Sequence, residues 1–133
     1  MSQANGKDLE SVALFSGLDA NERDIIAGLL SLESYGNGLT IVREGEVGYV
    51  FYVVKTGRVE VSHEGTLLRV LEPGDFFGEI AILGDGKRST TVTARGDVEV
   101  WAMFGTSLGQ LERDHPEIAS TIQGAVRERL TTD

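Results

Sequence analysis

The stretch DFFGEIAILGDGKRSTTVTA, residues 75–94, combines a glycine turn, a short apolar run and a basic residue that leads into β-branched residues. Gly78 lacks a Cβ, so a ligand can approach the backbone closely there. Residues 80–83 suffice for one helical turn, whose unpaired N–H groups would point at an anion. Arg88 enters the β-branched run, and its planar guanidinium matches two oxygens of a phosphate, while Glu79 can accept from a sugar hydroxyl. The stretch therefore predicts a site for a sugar phosphate, which is half a nucleotide.

Two parts of this stretch, FGEIA at 77–81 and RS at 88–89, resemble residue by residue the phosphate-binding cassette of the cyclic nucleotide-binding domain family. That family includes domains of bacterial cAMP receptor regulators and of cyclic nucleotide-gated channels. The resemblance implies that Arg88 binds the cyclic phosphate, and that Glu79 and the carbonyl of Gly78 bind the ribose 2′-hydroxyl. A fixed order of glycine, glutamate and arginine over about a dozen positions is far more specific than a lone glycine fingerprint.

The resemblance also assigns the remaining contacts. Backbone N–H groups of Ala81 and Ser89 would complete the phosphate shell, and the Ser89 hydroxyl could bond the phosphate or a guanine amino group, which leaves cGMP open beside cAMP. Thr90 departs from the alanine usual in the family and adds a hydroxyl and a branch near the phosphate. Val61 and Leu68 match positions that wall the base pocket, although an aliphatic residue in a strand also serves simply as core. With cAMP as the expected ligand and no metal, the predicted ligand-binding set is Gly78, Glu79, Ile80, Ala81, Arg88, Ser89, Thr90, Val61, Leu68 and Arg129.

Composition limits the function further. The 133 residues fit one domain, and 41% hydrophobic with 25% charged residues is ordinary for a globular protein. No apolar run approaches the roughly 18 residues of a membrane span and no secretory signal is visible, so we expect a cytoplasmic protein. The absence of cysteine agrees with that setting and excludes disulfides and thiol chemistry. The formal net charge of −9 repels polyanions, so direct nucleic-acid binding is not expected.

Short β-branched or aromatic runs separated by glycines fill the middle of the chain and predict an antiparallel β region. Alternation of apolar and polar residues supports strands, as where Val98 and Val100 flank Glu99. Thr56-Gly57 and Glu64-Gly65 are typical of hairpin loops. A sandwich or a jelly-roll barrel would fit this pattern, and the family resemblance selects a mainly β fold with flanking helices, an eight-stranded antiparallel β-roll. The predicted strands are 39–42, 49–55, 58–62, 66–71 and 98–103.

Helical patterns flank the β region. Capping-box patterns begin two predicted helices, one at Asp19 and one at Asp114. An apolar residue recurs at every fourth position from Ile118 to Leu130, so the last helix has an apolar face that needs a partner surface. The resemblance implies that this helix is a hinged lid over the base and that Arg129 contacts the base, although an exposed arginine is also commonly a solvated charge. The predicted organisation is a disordered tail at 1–7 and a domain at 8–131, made of N-terminal helices at 8–30, a β-roll at 32–103 with its cassette at 76–91, and C-terminal helices at 106–131.

Two interpretations of function remain. The first is a cyclic nucleotide-binding regulatory domain, with cAMP favoured over cGMP, which couples ligand binding to movement of the C-terminal helices and so controls an effector protein. The second is a β-roll that docks a partner or forms a homodimer, with Thr90 blocking the nucleotide site and the last helix pairing between copies. An enzyme on a similar roll would need a metal-binding cluster, but His63 and His115 lie on different predicted elements, so we expect no enzymatic activity.

Overall fold

The computed structural model describes residues 6–10, 12–46, 50–78 and 90–132, with side chains described as far as residue 128. Before the sheet come two 3-10 helices, Gly6–Leu9 and Ala13–Phe15, and helix α1 at Ala20–Ala27. The strands are β1 (Ser31–Tyr35), β2 (Thr40–Val42), β3 (Val50–His63), β4 (Thr66–Leu71), β5 (Phe76–Phe77) and β6 (Thr91–Phe104). Helices α2 (Gly105–Asp114) and α3 (Pro116–Thr132) follow the sheet. Because the first 3-10 helix includes Gly6 and Lys7, regular structure begins inside the tail predicted at 1–7.

The six described strands form one antiparallel sheet in the order β1-β6-β3-β4, in which β2 also pairs with β6 and β5 with β3. Strands β3 and β6 are each 14 residues long and pair with each other along most of their length. Their pairing shifts register on both sides of Thr56, so each long strand consists of two segments. Counted by segments, the described residues form the eight strands of the predicted mainly β roll with flanking helices.

One of the two predicted hairpins is confirmed and the other is wrong. Glu64 and Gly65 connect β3 to β4 with φ angles of 49° and 83°, the pair of positive values that a two-residue type I′ turn requires. Thr56-Gly57 does not reverse the chain, because β3 continues through it and stays paired with β6. Gly57 has a φ of 83° and lies against the backbone of Asp97 and Val98, so its glycine serves a bulge and a close strand contact rather than a turn.

The sheet separates two apolar cores. The helix-side core contains Phe51, Val53, Trp101 and Met103 together with buried residues of all the helices. The roll core lies on the other face and includes Val100. This alternation follows from the two-residue period of a strand, and it places Trp101 and Met103 opposite Val100, as the sequence predicted. The apolar face of α3 is also confirmed as a packing surface, since its residues Ile118, Ile122 and Val126 are at most 1% exposed.

Of the two capping boxes predicted from sequence, the structure contains one. The Asp19 capping box is confirmed: Glu22 N–H donates to Asp19 Oδ1 at 2.8 Å, and Asp19 N–H donates to Glu22 Oε1 at 3.0 Å. The capping box predicted at Asp114 is wrong, because Asp114 is the last residue of α2. His115 separates the two helices with φ −140° and ψ 66°, and Pro116 begins α3, the first-turn position where its missing N–H costs nothing.

Candidate functional site

Most of the predicted cassette lies outside the described residues. This holds for Glu79, Ile80, Ala81, Arg88 and Ser89, whose assigned contacts stay predictions. The structure does describe the two ends of the cassette. One end follows β5 and the other leads into β6, and both of these strands pair with β3. A single long strand therefore holds the entry and the exit of the cassette.

At the entry, Gly78 follows Phe77 with a φ of 77°, a left-handed conformation that a residue with a Cβ rarely adopts. Phe77 is 4% exposed and stacks on Tyr52, with ring centroids 4.8 Å apart and an interplanar angle of 14°. The same two residues are paired across β5 and β3. Because Phe77 is held by both backbone and ring, the chain enters the cassette from a fixed point.

At the exit, Thr90 is half-buried in a bend, and Thr91 begins β6 opposite Ser62 of β3. The Thr91 hydroxyl contacts Glu44, which lies in the turn after β2. Glu44 N–H donates to Thr91 Oγ1 at 3.1 Å, and Thr91 Oγ1 donates to Glu44 Oε1 at 3.2 Å. The exit is thus tied through both backbone and side chain to a turn 47 residues earlier in the chain.

Glu44 makes further contacts with the β3–β4 turn. Its carboxylate accepts from the Glu64 N–H at 3.0 and 3.2 Å, and its Oε2 lies 3.2 Å from Nδ1 of His63. The other imidazole nitrogen of His63 lies 3.5 Å from Glu64 Oε2. We call Glu44, His63, Glu64 and Thr91 the Glu44 cluster. Sequence analysis missed it because its contacts join residues 20 and 47 positions apart, and no local pattern connects them.

The predicted base-pocket residues occupy different environments. Val61 is 3% exposed and belongs to the roll core, where it pairs with Val92 of β6. Leu68 of β4 is 57% exposed and sits where the pairing of β3 and β4 shifts register, and its neighbour Leu67 is 54% exposed. Both leucines are thus apolar side chains exposed on the roll. Arg129 lies in α3, but its side chain is outside the described part of the chain. The base contacts of these residues remain predictions.

A separate cavity of about 420 Å³ lies where β3 and β6 shift register, and of the predicted ligand-binding residues that the structure describes, none lines it. Its lining includes Tyr35, Asp97 and Glu99. The Tyr35 hydroxyl donates to Glu33 Oε1 at 2.6 Å. Burial, and then the hydrogen bond to Glu33, raise the pKa of Tyr35 above its usual range, because ionisation would place a second negative charge there.

Within the described ranges, no group of three or more histidine, cysteine or acidic side chains is arranged to hold a metal ion. His63 and His115 lie on β3 and between α2 and α3, respectively, as expected from their different predicted elements. None of the helices described here combines the length and the apolar character needed to cross a membrane.

Comparison with known proteins supplies the family. Residues 32–115 match the model of the cyclic nucleotide-binding domain. The chain is 41% identical over 90 residues to a cGMP-dependent protein kinase of Eimeria tenella, and the aligned region covers 68% of this chain and 9% of the kinase. It is 42% identical over 100 residues to a cAMP-dependent protein kinase regulatory subunit of Debaryomyces hansenii, and this aligned region covers 74% of this chain and 22% of that subunit.

The fold is similar to a co-crystal structure of the regulatory domain of Toxoplasma gondii PKA with cAMP, with a TM-score of 0.83 and 28% identity. That match covers 96% of this chain and 49% of the other. The chain therefore spans less than a quarter of the two curated relatives and about half of this regulatory domain. The family model covers most of the β-roll and both ends of the cassette, and the chain belongs to the cyclic nucleotide-binding domain family.

Proposed function

We propose that this chain is a regulatory domain that binds a cyclic nucleotide, with cAMP preferred over cGMP. The observation that carries the proposal is the cassette sequence, FGEIA at 77–81 and RS at 88–89, inside the region that matches the family model. Relatives named as cAMP-dependent and as cGMP-dependent kinases support the ligand class. The T. gondii regulatory domain with cAMP supports the choice of the adenine nucleotide.

In this proposal each cassette residue recognises one part of the ligand. Arg88 forms a bidentate pair with the cyclic phosphate, and N–H groups of Ala81 and Ser89 bind its remaining oxygens. Glu79 and the Gly78 carbonyl accept hydrogen bonds from the ribose 2′-hydroxyl. Gly78 supports this role because its left-handed φ of 77° fits a backbone turn against a ligand. Ile80, Thr90, Val61, Leu68 and Arg129 complete the proposed ligand-binding set.

The regulatory step is a movement of the C-terminal helices. The backbone at His115 is not helical, and Pro116 removes one N–H from the start of α3, so this junction can act as a hinge. Ligand binding shifts the position of α3 only if the nucleotide binds one position more tightly than another. Contact between the Arg129 side chain and the base would supply that difference. The domain at 8–131 then passes the change to a partner protein, acts without catalysis of its own, and works in the cytoplasm.

Calorimetric titration of the purified chain tests the proposal. We expect cAMP to bind in the micromolar range or tighter, which corresponds to about −8 kcal/mol, and cGMP to bind more weakly. Linear AMP is the matched control, because it has the same base and sugar but an open, doubly charged phosphate, and it should bind far more weakly. Absence of heat with both cyclic nucleotides at millimolar concentration contradicts the proposal. Tighter binding of cGMP contradicts only the stated preference.

A further inference from the structure

We infer that Glu44 is a positioning residue for nucleotide binding, and that it acts by fixing Thr91 where the chain leaves the predicted cassette. The inference rests on the proposed function and concerns residues outside the predicted cassette. Glu44 lies in the turn after β2, His63 and Glu64 lie at the β3–β4 turn, and Thr91 begins β6. The cluster joins three separate parts of the roll at the point where the chain leaves the cassette.

Thr91 lies close along the chain to the residues that are predicted to bind the phosphate. Thr91 is the third residue after Arg88 and the second after Ser89. A side chain fixed at Thr91 limits how far the backbone of those two residues can shift. Binding sites lose much of their strength when a ligating group is displaced by about 1 Å. Whatever holds Thr91 therefore helps to place the guanidinium and the N–H group that are proposed to bind the phosphate.

Glu44 makes the contacts that are needed to hold Thr91. Its backbone N–H and its carboxylate both bond to the Thr91 hydroxyl, at 3.1 and 3.2 Å. The same carboxylate is fixed in turn by the Glu64 N–H at 3.0 Å. The Glu44 side chain is only 30% exposed, so these bonds are partly shielded from water. A carboxylate that accepts several hydrogen bonds in a half-buried position is well oriented and costly to displace.

His63 at the β3–β4 turn also contacts the Glu44 carboxylate. Its Nδ1 lies 3.2 Å from Glu44 Oε2, and the Glu64 N–H of the same turn donates to that carboxylate at 3.0 Å. The β3–β4 turn therefore helps to hold Glu44 in the position from which it bonds to Thr91.

The experiment measures cAMP affinity by calorimetry for the wild type and for variants of the Glu44 cluster. Glu44→Ala should weaken binding about five- to thirtyfold, because it deletes one or two effective hydrogen bonds that hold Thr91.

Two conservative variants separate positioning from a general loss of structure. Glu44→Gln keeps an acceptor for Thr91 and Glu64, so it should bind nearly as well as the wild type. Thr91→Val keeps the shape of the side chain and removes the hydroxyl, so it should weaken binding as Glu44→Ala does. Ligand-free unfolding of each variant, measured at the same pH, shows that the affinities refer to folded protein.

The matched control is Glu46→Ala, since Glu46 is an exposed carboxylate in the same turn as Glu44. This variant should retain the wild-type affinity. Equal affinities of wild type and Glu44→Ala overturn the inference, as does an equal loss in Glu46→Ala. If the wild-type protein itself binds no cyclic nucleotide, the proposed function fails and the inference falls with it.

Discussion

In the proposed function Arg88 would carry the largest share of the affinity, because a guanidinium combines a full positive charge with two parallel donors. Its partner in the ligand is a single negative charge shared by two exocyclic oxygens, which matches the fork of a guanidinium. In the same proposal, Glu79 would recognise the sugar and the backbone N–H groups would bind the remaining phosphate oxygens. Taken alone, an arginine before a strand is most often a surface charge. Its place within the cassette sequence gives Arg88 its assignment.

Replacing Arg88 tests that assignment. Arg88→Ala should weaken cAMP binding by about two orders of magnitude or more, since each charge-assisted hydrogen bond contributes roughly 1.5 to 3 kcal/mol. Calorimetry measures the loss, and circular dichroism checks that the fold persists. Arg95→Ala is the matched control: Arg95 lies on β6, and its Nε is 3.7 Å from Glu60 in an exposed ion pair. Tight binding by Arg88→Ala, or an equal loss in Arg95→Ala, contradicts the role of Arg88.

The ionisation of Tyr35 affects the stability of the protein at high pH. Its pKa in the folded protein is raised above the ordinary value of 10.0 by burial and by the hydrogen bond to Glu33. The folded state therefore keeps this proton where the unfolded chain begins to lose it. The contribution of Tyr35 to stability is complete below about pH 10 and is lost as the pH rises above it.

Denaturant unfolding between about pH 8 and pH 11 measures this effect. The free energy of unfolding of the wild type should fall more steeply above about pH 10 than that of Tyr35→Phe, which has no proton to lose at this position. At the lower end of the range the variant should be slightly less stable, because it lacks the hydrogen bond to Glu33. Parallel curves for the two proteins across the whole range would falsify the link between Tyr35 and alkaline stability.

Strand β3 pairs with the strands at both ends of the predicted cassette. One segment pairs with β5, which leads into the cassette, and the other ends beside Thr91, which follows it. Between the segments, the register shifts at Thr56 and Gly57 let the strand change direction without losing its partner β6. The relative position of the two cassette ends thus depends on one bulge, and the bulge depends on a glycine.

Gly57→Ala should damage this element more than a change at a glycine of the same conformation elsewhere. Gly57 and Gly38 have φ angles of 83° and 85°. A Cβ at Gly57 would overlap the Asp97 carbonyl oxygen and lie 3.0 Å from Val98 Cα, whereas one at Gly38 meets no atom within 4 Å. Denaturant unfolding should show a loss of about 1 kcal/mol for Gly38→Ala and at least about 2 kcal/mol more for Gly57→Ala. Equal losses would show that the strand contact at Gly57 is not tight.

The arrangement of the described strands and helices bears on the proposed coupling between a ligand at the roll and the last helix. Both cores share strands β3 and β6, with alternate residues on either face. Helices α2 and α3 cover the helix-side core, and α3 is joined to α2 through the non-helical His115. If α3 moves, a densely packed core would favour two discrete positions of the helix over a continuous range of positions.

Trp101 offers a test of the proposed movement of α3. It is the single tryptophan of the chain, it is 4% exposed in the helix-side core, and Lys55 Nζ lies 4.8 Å from its ring centroid. Saturation with cAMP should change the intensity or wavelength of its emission, because the core beneath α3 must repack when the helix moves. Linear AMP, and cAMP added to Arg88→Ala, should leave the emission unchanged. If calorimetry shows full binding of cAMP and the emission stays constant, the proposed movement of α3 is contradicted.

The sequence by itself determined the features that depend on residues close together along the chain. The type I′ turn at Glu64-Gly65, the Asp19 capping box and the strand alternation around Trp101 follow from backbone preferences and periodicity, and all are confirmed. The family was also predicted from sequence, because the cassette is a contiguous motif with a fixed order of residues.

Only the tertiary structure decided what Gly57 does and what Glu44 contacts. A glycine with positive φ suits a hairpin or a bulge equally, and the choice depends on whether β6 remains paired on the far side of it. Asp114 carries a capping pattern, yet α2 continues through it before α3 begins. Glu44 bonds to Glu64 and Thr91 because the roll brings residues that are 20 and 47 positions apart within hydrogen-bond distance. Contacts of this kind are set by strand pairing across the whole sheet, and no local pattern of residues encodes them.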